Sequence, residues 1–231
     1  MGLRRGATPD PNPRLLARKE GPLVTVPFAL TVLAYALGTI PSSYWVGKFV
    51  FGVDLRTVGS GNLGATNAFR ILGARAAVPV TALDVLKGWV PAAIFPLLIP
   101  GAPYGWTLAF GGAAILGHVF SFWVGFRGGK GVATSTGVFL ALAPGALFVA
   151  VAVWSAAVLA TGYVSVGSIL AAVILPAAIA LTRPPGGAAL LGFASGLGAF
   201  VVWAHRSNIG RLMRGEEPRF RRHEPHEGAA K

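Results

Sequence analysis

The sequence predicts an all-α fold: a polytopic integral membrane protein with about seven transmembrane helices. Hydrophobic residues make up 54% and charged residues only 12% of its 231 residues, and the mean hydropathy is +0.63. Soluble domains carry about 25% charged residues. The apolar residues also gather in runs close to the roughly 20 residues that a helix needs to cross the hydrocarbon core of a bilayer. A soluble domain of alternating helices and strands is therefore not expected.

Seven apolar segments follow one another along the chain. One run, over about 131–162, is too long for a single ordinary span, and Pro144-Gly145 interrupts it. We therefore divide it into a short fourth helix and a fifth helix that begins near residue 145. Pro184-Pro185-Gly186-Gly187 is typical of a turn and separates the last two helices. The predicted segments are about 23–46, 75–99, 103–124, 131–143, 145–162, 166–182 and 187–205.

The predicted organisation has three parts. A flexible basic N-terminal tail covers residues 1–22, a seven-helix transmembrane domain covers 23–208, and a cytoplasmic basic C-terminal tail covers 209–231. The N-terminal residues lack the short apolar core and the small-residue cleavage site of a signal peptide. The chain has no cysteine, so disulfide bonds and thiol chemistry are excluded.

The net charge of +12 lies mostly in loops and tails. An odd number of spans places the loops after helices 1, 3 and 5 on the same side as the C-terminal tail, and these segments hold nearly all of the loop cations. The opposite loops contain only Arg183. By the positive-inside rule, the crowded side is the cytoplasm. Anionic lipid or substrate is a second use for this charge, and nucleic acid is not expected as a partner.

The basic N-terminal tail conflicts with this topology, because seven spans place it outside. Six or eight spans would accommodate the tail, but they would divide the polar motifs between the two sides of the membrane. A translation start near Val24 or Val26 would also remove the conflict. We therefore keep seven spans.

Four polar segments approach the predicted cytoplasmic face, where they bring glycines, hydroxyls, amides and cations together. Separate loops of a purely structural protein need not share this composition. Their convergence therefore predicts a binding site for an anion. The segments are 59–70, 117–134, 162–168 and 205–208.

The first segment begins with GSGNLGATN, whose glycines have the spacing of a dinucleotide-binding fingerprint. That fingerprint requires a preceding strand and a following helix in a βαβ unit, a context that a chain of membrane helices lacks. Glycines let backbone N–H groups approach a ligand, and such a loop at the start of a helix suits a phosphate. A tight turn with self-capping hydroxyls is the alternative, and Arg70, one turn further on, favours the anion site. The residues assigned to this loop are Gly59, Ser60, Gly61, Asn62, Gly64, Thr66, Asn67 and Arg70.

The second segment contains FRGGKG, in which Arg127 and Lys130 flank Gly128 and Gly129. The cations can lie beside exposed amides, which again suits an anion; alternatively, they are two positive-inside markers. The loop is not a Walker A motif, because a valine occupies the place of that motif's first glycine and Gly131 replaces its Ser or Thr. An ATP-hydrolysing P-loop is therefore excluded.

Further polar residues lie at or within the predicted helices. His205 and Asn208 end the last helix and either cap it or hold a substrate hydroxyl or phosphate. Asp84 and Lys87 stand three residues apart inside helix 2, where ions are costly, and are expected to pair with each other. His118 is expected to tie helices together through a hydrogen bond.

Taken together, these motifs are similar to those of the bacterial acylphosphate-dependent glycerol-3-phosphate acyltransferases. The resemblance runs from about residue 23 to about residue 220. It implies a seven-helix inner-membrane protein whose site faces the cytoplasm, and transfer of a fatty acyl group from acyl phosphate to the 1-hydroxyl of sn-glycerol 3-phosphate. The motifs are GSGNLGATNAFR, DVLKG, GHVFSFWVGFRGGKGVAT, VSVGS and HRSNIGRLMRGEEPRF.

The resemblance also implies roles for single residues. The acyl phosphate is assigned to Ser60, the neighbouring glycines and Thr66, and Ser168 is assigned to either phosphate. The expected catalytic residues are Ser60, Arg70, Lys130, His205 and Asn208, of which the last four suit glycerol 3-phosphate. Neither a cofactor nor a metal ion is expected.

The chemistry expected from the residues agrees with this resemblance. Acyltransferases with thioester donors carry a His followed five residues later by Asp, whereas His118 and His205 are followed at that distance by Trp123 and Gly210. The motifs contain no evident Ser or Cys nucleophile with its base. The acyl tail is expected to lie along the helices, in lipid or in an apolar groove.

Two other classes of protein share part of this pattern. A transporter for phosphate or a sugar phosphate would also have many helices and basic loops, but transporters commonly show internal repeats and a site near the bilayer midplane. The chain has no repeat between its halves, and its polar motifs lie at one face. A non-catalytic lipid-anchored scaffold would explain the hydrophobicity but not the converging motifs.

Overall fold

The computed structural model describes residues 21–220, so most of the predicted N-terminal tail (1–20) and the end of the C-terminal tail (221–231) lie outside it. The described residues form α-helices joined by short loops, with no strand among them. The helices are α1 (Gly21–Gly38), α2 (Ser42–Trp45), α3 (Ala65–Leu72), α4 (Ala74–Ala93), α5 (Gly105–Val119), α6 (Val132–Leu142), α7 (Pro144–Thr161), α8 (Val164–Thr182), α9 (Gly187–Ala204) and α10 (Arg206–Met213). A π-helical turn, Val46–Val50, continues α2, and 3₁₀ turns cover Phe95–Leu98 and Phe122–Val124.

Six helical segments are long and apolar enough to cross a membrane. The seventh apolar segment is α6, whose 11 residues extend about 16 Å, roughly half of the hydrocarbon core. These observations confirm the all-α, polytopic fold class. The predicted break before residue 145 is also confirmed: Ala143 leaves the helical region (φ −153°) and Pro144 begins α7, a position where its fixed φ favours helix formation.

Glycines allow two pairs of helices to come into backbone contact. Gly38 of α1 lies against the carbonyl of Ala114 in α5, and Gly117 of α5 lies against that of Tyr35. A side chain at either glycine would collide with the neighbouring helix backbone. Helix α4 packs against α6 in the same way, through Gly88 and Gly137. Small residues therefore replace apolar side chains as the means of close helix packing in the membrane.

A buried ionic cluster joins three helices near the middle of the fold. The Asp84 carboxylate lies 2.7 Å from the Lys87 ammonium and 3.6 Å from Nδ1 of His118. Lys87 also donates to the carbonyl of Ile40, in the turn that follows α1, at 2.7 Å. The predicted Asp84–Lys87 pairing is confirmed, and His118 brings α5 into the same cluster.

The second half of the chain forms a unit of three helices, α7, α8 and α9, that contacts the rest of the fold through α5 and α6. Helices α7 and α8 pack along each other and α9 packs on α8, around a core of buried residues that includes Phe139, Leu142, Leu175 and Leu190. Gly162 ends α7 in the left-handed conformation (φ +76°). The polar ends of α6 and α8, the chain that follows α9 and the middle of α7 come together at one cavity.

Candidate active site

A cavity of ≈ 480 Å³ lies where the four predicted polar segments meet. One part is polar and is lined by the loop before α3, by the start of α6 and by the chain that follows α9. The other part is apolar and extends between α6, α7, α8 and α9. The convergence that the loop composition predicts is therefore present in the fold.

Most of the predicted site residues line this cavity. The ten that do are Ser60, Asn62, Gly64, Thr66, Asn67, Arg70, Lys130, Ser168, His205 and Asn208. The five that do not are Gly59, Gly61, Arg127, Gly128 and Gly129. Arg127 is exposed to solvent, and the four glycines shape the two loops that carry the lining residues.

The loop before α3 is held by the side chain of Asn67. Its Oδ1 accepts the N–H of Ser60 at 3.0 Å, and its Nδ2 donates to the carbonyls of Leu55 and Val58 at 3.1 and 3.2 Å. Gly59 (φ +61°) contacts Asn67 so closely that no side chain fits there. The Asn67 amide is therefore used to shape the loop. No strand precedes it in the described chain, which excludes the dinucleotide-binding interpretation.

Helix α3 starts directly after this loop and presents its N-terminus to the cavity. Gly64 is the N-cap residue in an extended conformation, and Ala65 and Thr66, in the first turn, line the cavity. First-turn N–H groups have no partner within their own helix and attract anions. Arg70, on the second turn, adds a positive charge. Burial lowers the pKa of its guanidinium, with Glu217 and Arg211 acting in opposite directions.

The FRGGKG loop folds back onto the end of α5. The N–H of Gly128 donates to the carbonyl of Val119 at 2.9 Å, and that of Gly129 donates to the carbonyl of His118 at 3.2 Å. The His118 ring also lies against Gly129, where a side chain would not fit. These two N–H groups are thus occupied within the protein, and the loop presents the amine of Lys130 to the cavity.

Lys130 begins a chain of polar contacts that ends at a carboxylate. Its ammonium donates to Oδ1 of Asn208, and Nδ2 of Asn208 donates to Oε1 of Glu217 at 2.6 Å. Arg211 donates to Oε2 of Glu217 at 2.8 Å. Burial, helped by the charge of Arg211 and opposed by Glu217, lowers the pKa of Lys130 to about 8. The amine is therefore charged, but poorly solvated, at neutral pH.

Sequence reasoning missed Glu217. It lies in the stretch predicted as a tail, yet it is only 9% exposed and lines the cavity. Burial alone would raise the pKa of its carboxyl, but hydrogen bonds from Asn208 and Arg211 outweigh this effect and lower the pKa. The sequence offers two signals: Glu217 lies within the motif HRSNIGRLMRGEEPRF, and it is an acidic residue among many arginines, just before a proline. Arg211 and Ser165 also line the cavity and were not assigned to it.

His205 is neutral at physiological pH. Burial, followed by the charge of Lys130, lowers the pKa of its imidazole to about 4. Its Nδ1 lies 2.8 Å from the carbonyl of Val201. Because a carbonyl only accepts, Nδ1 carries the proton, and Nε2 is left as a hydrogen-bond acceptor. This arrangement suits contact with a substrate hydroxyl.

The polar part of the cavity contains more positive than negative charge. Arg70, Lys130 and Arg211 line it, against two carboxylates, Asp84 and Glu217. Glu217 accepts from Arg211, and Asp84 pairs with Lys87. Ser168 also lines it; its hydroxyl donates to the carbonyl of Val164 at 2.9 Å and lies 3.4 Å from the indole nitrogen of Trp154. Among the described residues, no group of His, Cys, Asp or Glu could hold a metal ion.

The apolar part of the cavity forms a groove that leads from the cations into the helices. We call this set the apolar groove; its residues come from one face of each surrounding helix. They are Phe139 of α6; Leu147, Ala150, Val151 and Trp154 of α7; Ala171, Ala172 and Leu175 of α8; and Leu197, Gly198 and Val201 of α9. Gly192 and Gly196 of α9 do not mediate close helix contact, because no atom of a neighbouring element lies within 4 Å of the position a Cβ atom would take.

The fold and site define a multi-pass membrane protein with one cavity for both an anionic and an apolar group. The family model for glycerol-3-phosphate acyltransferases matches residues 28–215. This chain belongs to that family, and it is an acyltransferase.

Individual relatives are similar over nearly their whole length. A glycerol-3-phosphate acyltransferase of Listeria welshimeri is 44% identical over 193 residues, covering 83% of this chain and 96% of the relative. That of Geobacter sulfurreducens is 42% identical over 193 residues, with the same coverage.

Two crystal structures of PlsY, an integral membrane glycerol 3-phosphate acyltransferase, share the fold. The glycerol 3-phosphate form superimposes with a TM-score of 0.78 and 39% identity, covering 84% of this chain and 96% of PlsY. The lysophosphatidic acid form gives a TM-score of 0.75 and 36% identity, with coverages of 84% and 94%.

Proposed function

We propose that this protein transfers a fatty acyl group from acyl phosphate to the 1-hydroxyl of sn-glycerol 3-phosphate, releasing lysophosphatidic acid and inorganic phosphate. The observation that carries the proposal is the single cavity in which a cation cluster adjoins the apolar groove. Both substrates carry phosphate and one carries an acyl chain, so each part of the cavity has a matching group. The two forms in which PlsY has been crystallised, with glycerol 3-phosphate and with lysophosphatidic acid, support the same acceptor and product.

The donor is inferred from what the cavity must supply. An acyl phosphate is already activated, so the glycerol hydroxyl can attack its carbonyl carbon directly. The new ester C–O bond forms as the bond between the acyl carbon and the phosphate oxygen breaks. This reaction needs positioning and charge stabilisation more than a covalent enzyme intermediate. The hydroxyl of Ser168 is hydrogen-bonded to backbone rather than to a base, which supports direct attack.

The two phosphates bring about three to four negative charges together near pH 7. We assign glycerol 3-phosphate to Arg70, Lys130, His205 and Asn208, and the phosphate of the donor to Ser60, Thr66 and the N-terminus of α3. The acyl chain then lies in the apolar groove. In this arrangement the cations reduce the repulsion between the substrates and stabilise the departing phosphate.

The proton of the attacking hydroxyl leaves through a substrate phosphate. The second pKa of a phosphate ester is about 6, whereas the pKa of His205 is about 4. A phosphate is therefore the stronger base of the two. His205 orients the hydroxyl through its free acceptor nitrogen, and Asp84, paired with Lys87, is already committed to the buried cluster.

We place the site at the cytoplasmic face of the bacterial inner membrane. Among the described residues, the loops on the cavity side contain most of the loop cations, and the opposite turn contains Arg183. This imbalance follows the positive-inside rule. Because the chain has no cysteine, the orientation can be tested with single-cysteine variants at exposed positions. Arg127→Cys should react only with a thiol reagent added from the cytoplasmic side, and Pro185→Cys only with one added from outside.

The activity is tested with purified protein, palmitoyl phosphate and glycerol 3-phosphate. We expect phosphate release matched one to one by lysophosphatidic acid. Palmitoyl-CoA without acyl phosphate should give no product. Turnover with the thioester alone would reject acyl phosphate as the donor, and the absence of product from either donor would reject the function.

A further inference from the structure

We propose that the closed end of the apolar groove, formed by Phe139, Leu147 and Leu175, limits the length of the acyl chain that is transferred. This inference rests on the proposed function and adds a specificity determinant to it. The three residues lie on three different helices, α6, α7 and α8, and all are buried. They are the lining residues farthest from the polar end along their helices.

The depth of the groove can be estimated from the positions of its lining residues along the helices. Leu175 is 11 residues beyond Val164, the first residue of α8 at the polar end, which corresponds to about 16 Å of helix. On α7 the lining residues run from Trp154 to Leu147, seven residues or about 10 Å of helix. The hydrocarbon core is about 30 Å thick. The groove therefore ends inside the protein, before the opposite face of the membrane.

A packed layer closes the groove beyond these residues. Phe139 is 1% exposed and packs on Phe193, with ring centroids 6.0 Å apart. The neighbouring core residues are buried in the same hydrophobic cluster and do not line the cavity, so the groove stops at this layer. They are Leu142, Ala143, Ala146, Ala178, Ile179 and Leu190. A separate cavity lies on the far side of Phe193, and the ring pair of Phe139 and Phe193 divides the two.

Small side chains make the space in front of the closed end. Ala150 is 4% exposed and lines the groove, one turn from Leu147 on α7. Gly198 lies against the backbone of Ala172, where a Cβ atom would come within 2.7 Å of the carbonyl oxygen. A larger residue at position 150 would therefore occupy the volume that the end of a long acyl chain needs.

Val151 gives the alternative path for the chain. It lines the cavity but is 42% exposed, so the groove opens toward lipid at this point. A chain that left the groove here would pass into the bilayer, and the closed end would not limit its length. The two paths make opposite predictions for substitutions at the closed end.

The experiment measures kcat/KM for decanoyl, myristoyl, palmitoyl and stearoyl phosphates. Ala150→Phe should lower the ratio of palmitoyl to decanoyl activity by about tenfold, since each methylene that is no longer buried costs about fourfold. Ala156→Phe is the matched control, because Ala156 is on the same helix, is exposed and does not line the groove. It should keep the wild-type ratio.

A second pair of variants removes side-chain atoms instead of adding them. Leu147→Ala should raise the ratio of stearoyl to palmitoyl activity by several fold. Leu190→Ala removes the same atoms from the same cluster but lies outside the groove, so it should lose stability without changing the ratio. Unchanged ratios in both groove variants, with glycerol 3-phosphate still acylated, would overturn the inference. Failure of the wild-type protein to use any acyl phosphate would instead overturn the proposed function.

Discussion

Replacement of Lys130 by methionine is the most direct test of the cation cluster. The variant keeps the length of the side chain and removes its charge. In the wild type the ammonium lines the cavity and donates to Asn208. The charge also destabilises the folded protein, because the amine is buried and burial is the main cause that lowers its pKa to about 8. Activity and stability should therefore respond in different ways.

The loss of activity can be estimated from the charge alone. Two unit charges 4 Å apart interact with about 4 kcal/mol at an effective dielectric constant near 20, and each 1.36 kcal/mol is a factor of about ten in rate. The full interaction therefore corresponds to about a thousandfold. Arg70 and Arg211 line the same cavity and also interact with the phosphate charge. We therefore expect kcat/KM for glycerol 3-phosphate to fall by about 100- to 1,000-fold.

Stability should be nearly unchanged. The pKa of Lys130 in the folded protein is below its ordinary value of 10.5, so the charged amine destabilises the fold at neutral pH, and its removal offsets the lost hydrogen bond to Asn208. Phosphate release and thermal unfolding in detergent measure the two effects. Lys48→Met is the control, since Lys48 is exposed and outside the cavity. A loss below tenfold, or a loss explained by unfolding, would refute the reasoning.

Three further predictions concern charge. Because the pKa of Lys130 is lowered to about 8, its charge is lost as pH rises through that value, so KM for glycerol 3-phosphate should increase above about pH 8 in the wild type, and a Lys130→Arg variant should not show this increase. Glu217→Gln should lower the free energy of unfolding by about 1.5–3 kcal/mol, because it weakens charged hydrogen bonds, whereas Glu216→Gln, at an exposed ion pair, should change it by less than about 1 kcal/mol. Asp84→Ala should lower the free energy of unfolding by about 3–5 kcal/mol, because it leaves Lys87 unpaired in the interior. The double variant with Lys87→Met should recover most of that stability. If it does not, the unpaired charge is not the cause of the loss.

Features set by local sequence could be predicted. Pro144 ends one helix and starts the next because its ring fixes φ and its nitrogen lacks a donor, and α7 does begin there. The four polar segments could be placed together because each lies at the end of an apolar run. Each helix that crosses the membrane takes the chain to the opposite face, so the chain returns to the same face after every second helix. Topology alone thus brings Arg70, Lys130 and His205 to one face of the membrane, and helix packing then brings them to one cavity.

Features that depend on contacts between distant segments could not be predicted. Asn67 was expected to bind a ligand, but its amide is used by three backbone groups of its own loop. The N–H groups of Gly128 and Gly129 are taken by carbonyls at the end of α5. The sequence contains the right residue types in both cases. Which of their polar groups remain free depends on the way the loops fold.

Glu217 illustrates why the stretch after α9 belongs to the site. Without a carboxylate, the positive charges of Arg70, Lys130 and Arg211 would repel one another. The pKa of Lys130, which burial already lowers, would then be lower still, and the neutral amine would be favoured. Glu217 opposes that shift and also fixes Asn208 at 2.6 Å. A single carboxylate thus keeps the amine charged and its partner oriented, while the cavity retains the excess of positive charge that two phosphates require. A basic stretch that serves only as a topological signal would need no such buried acid.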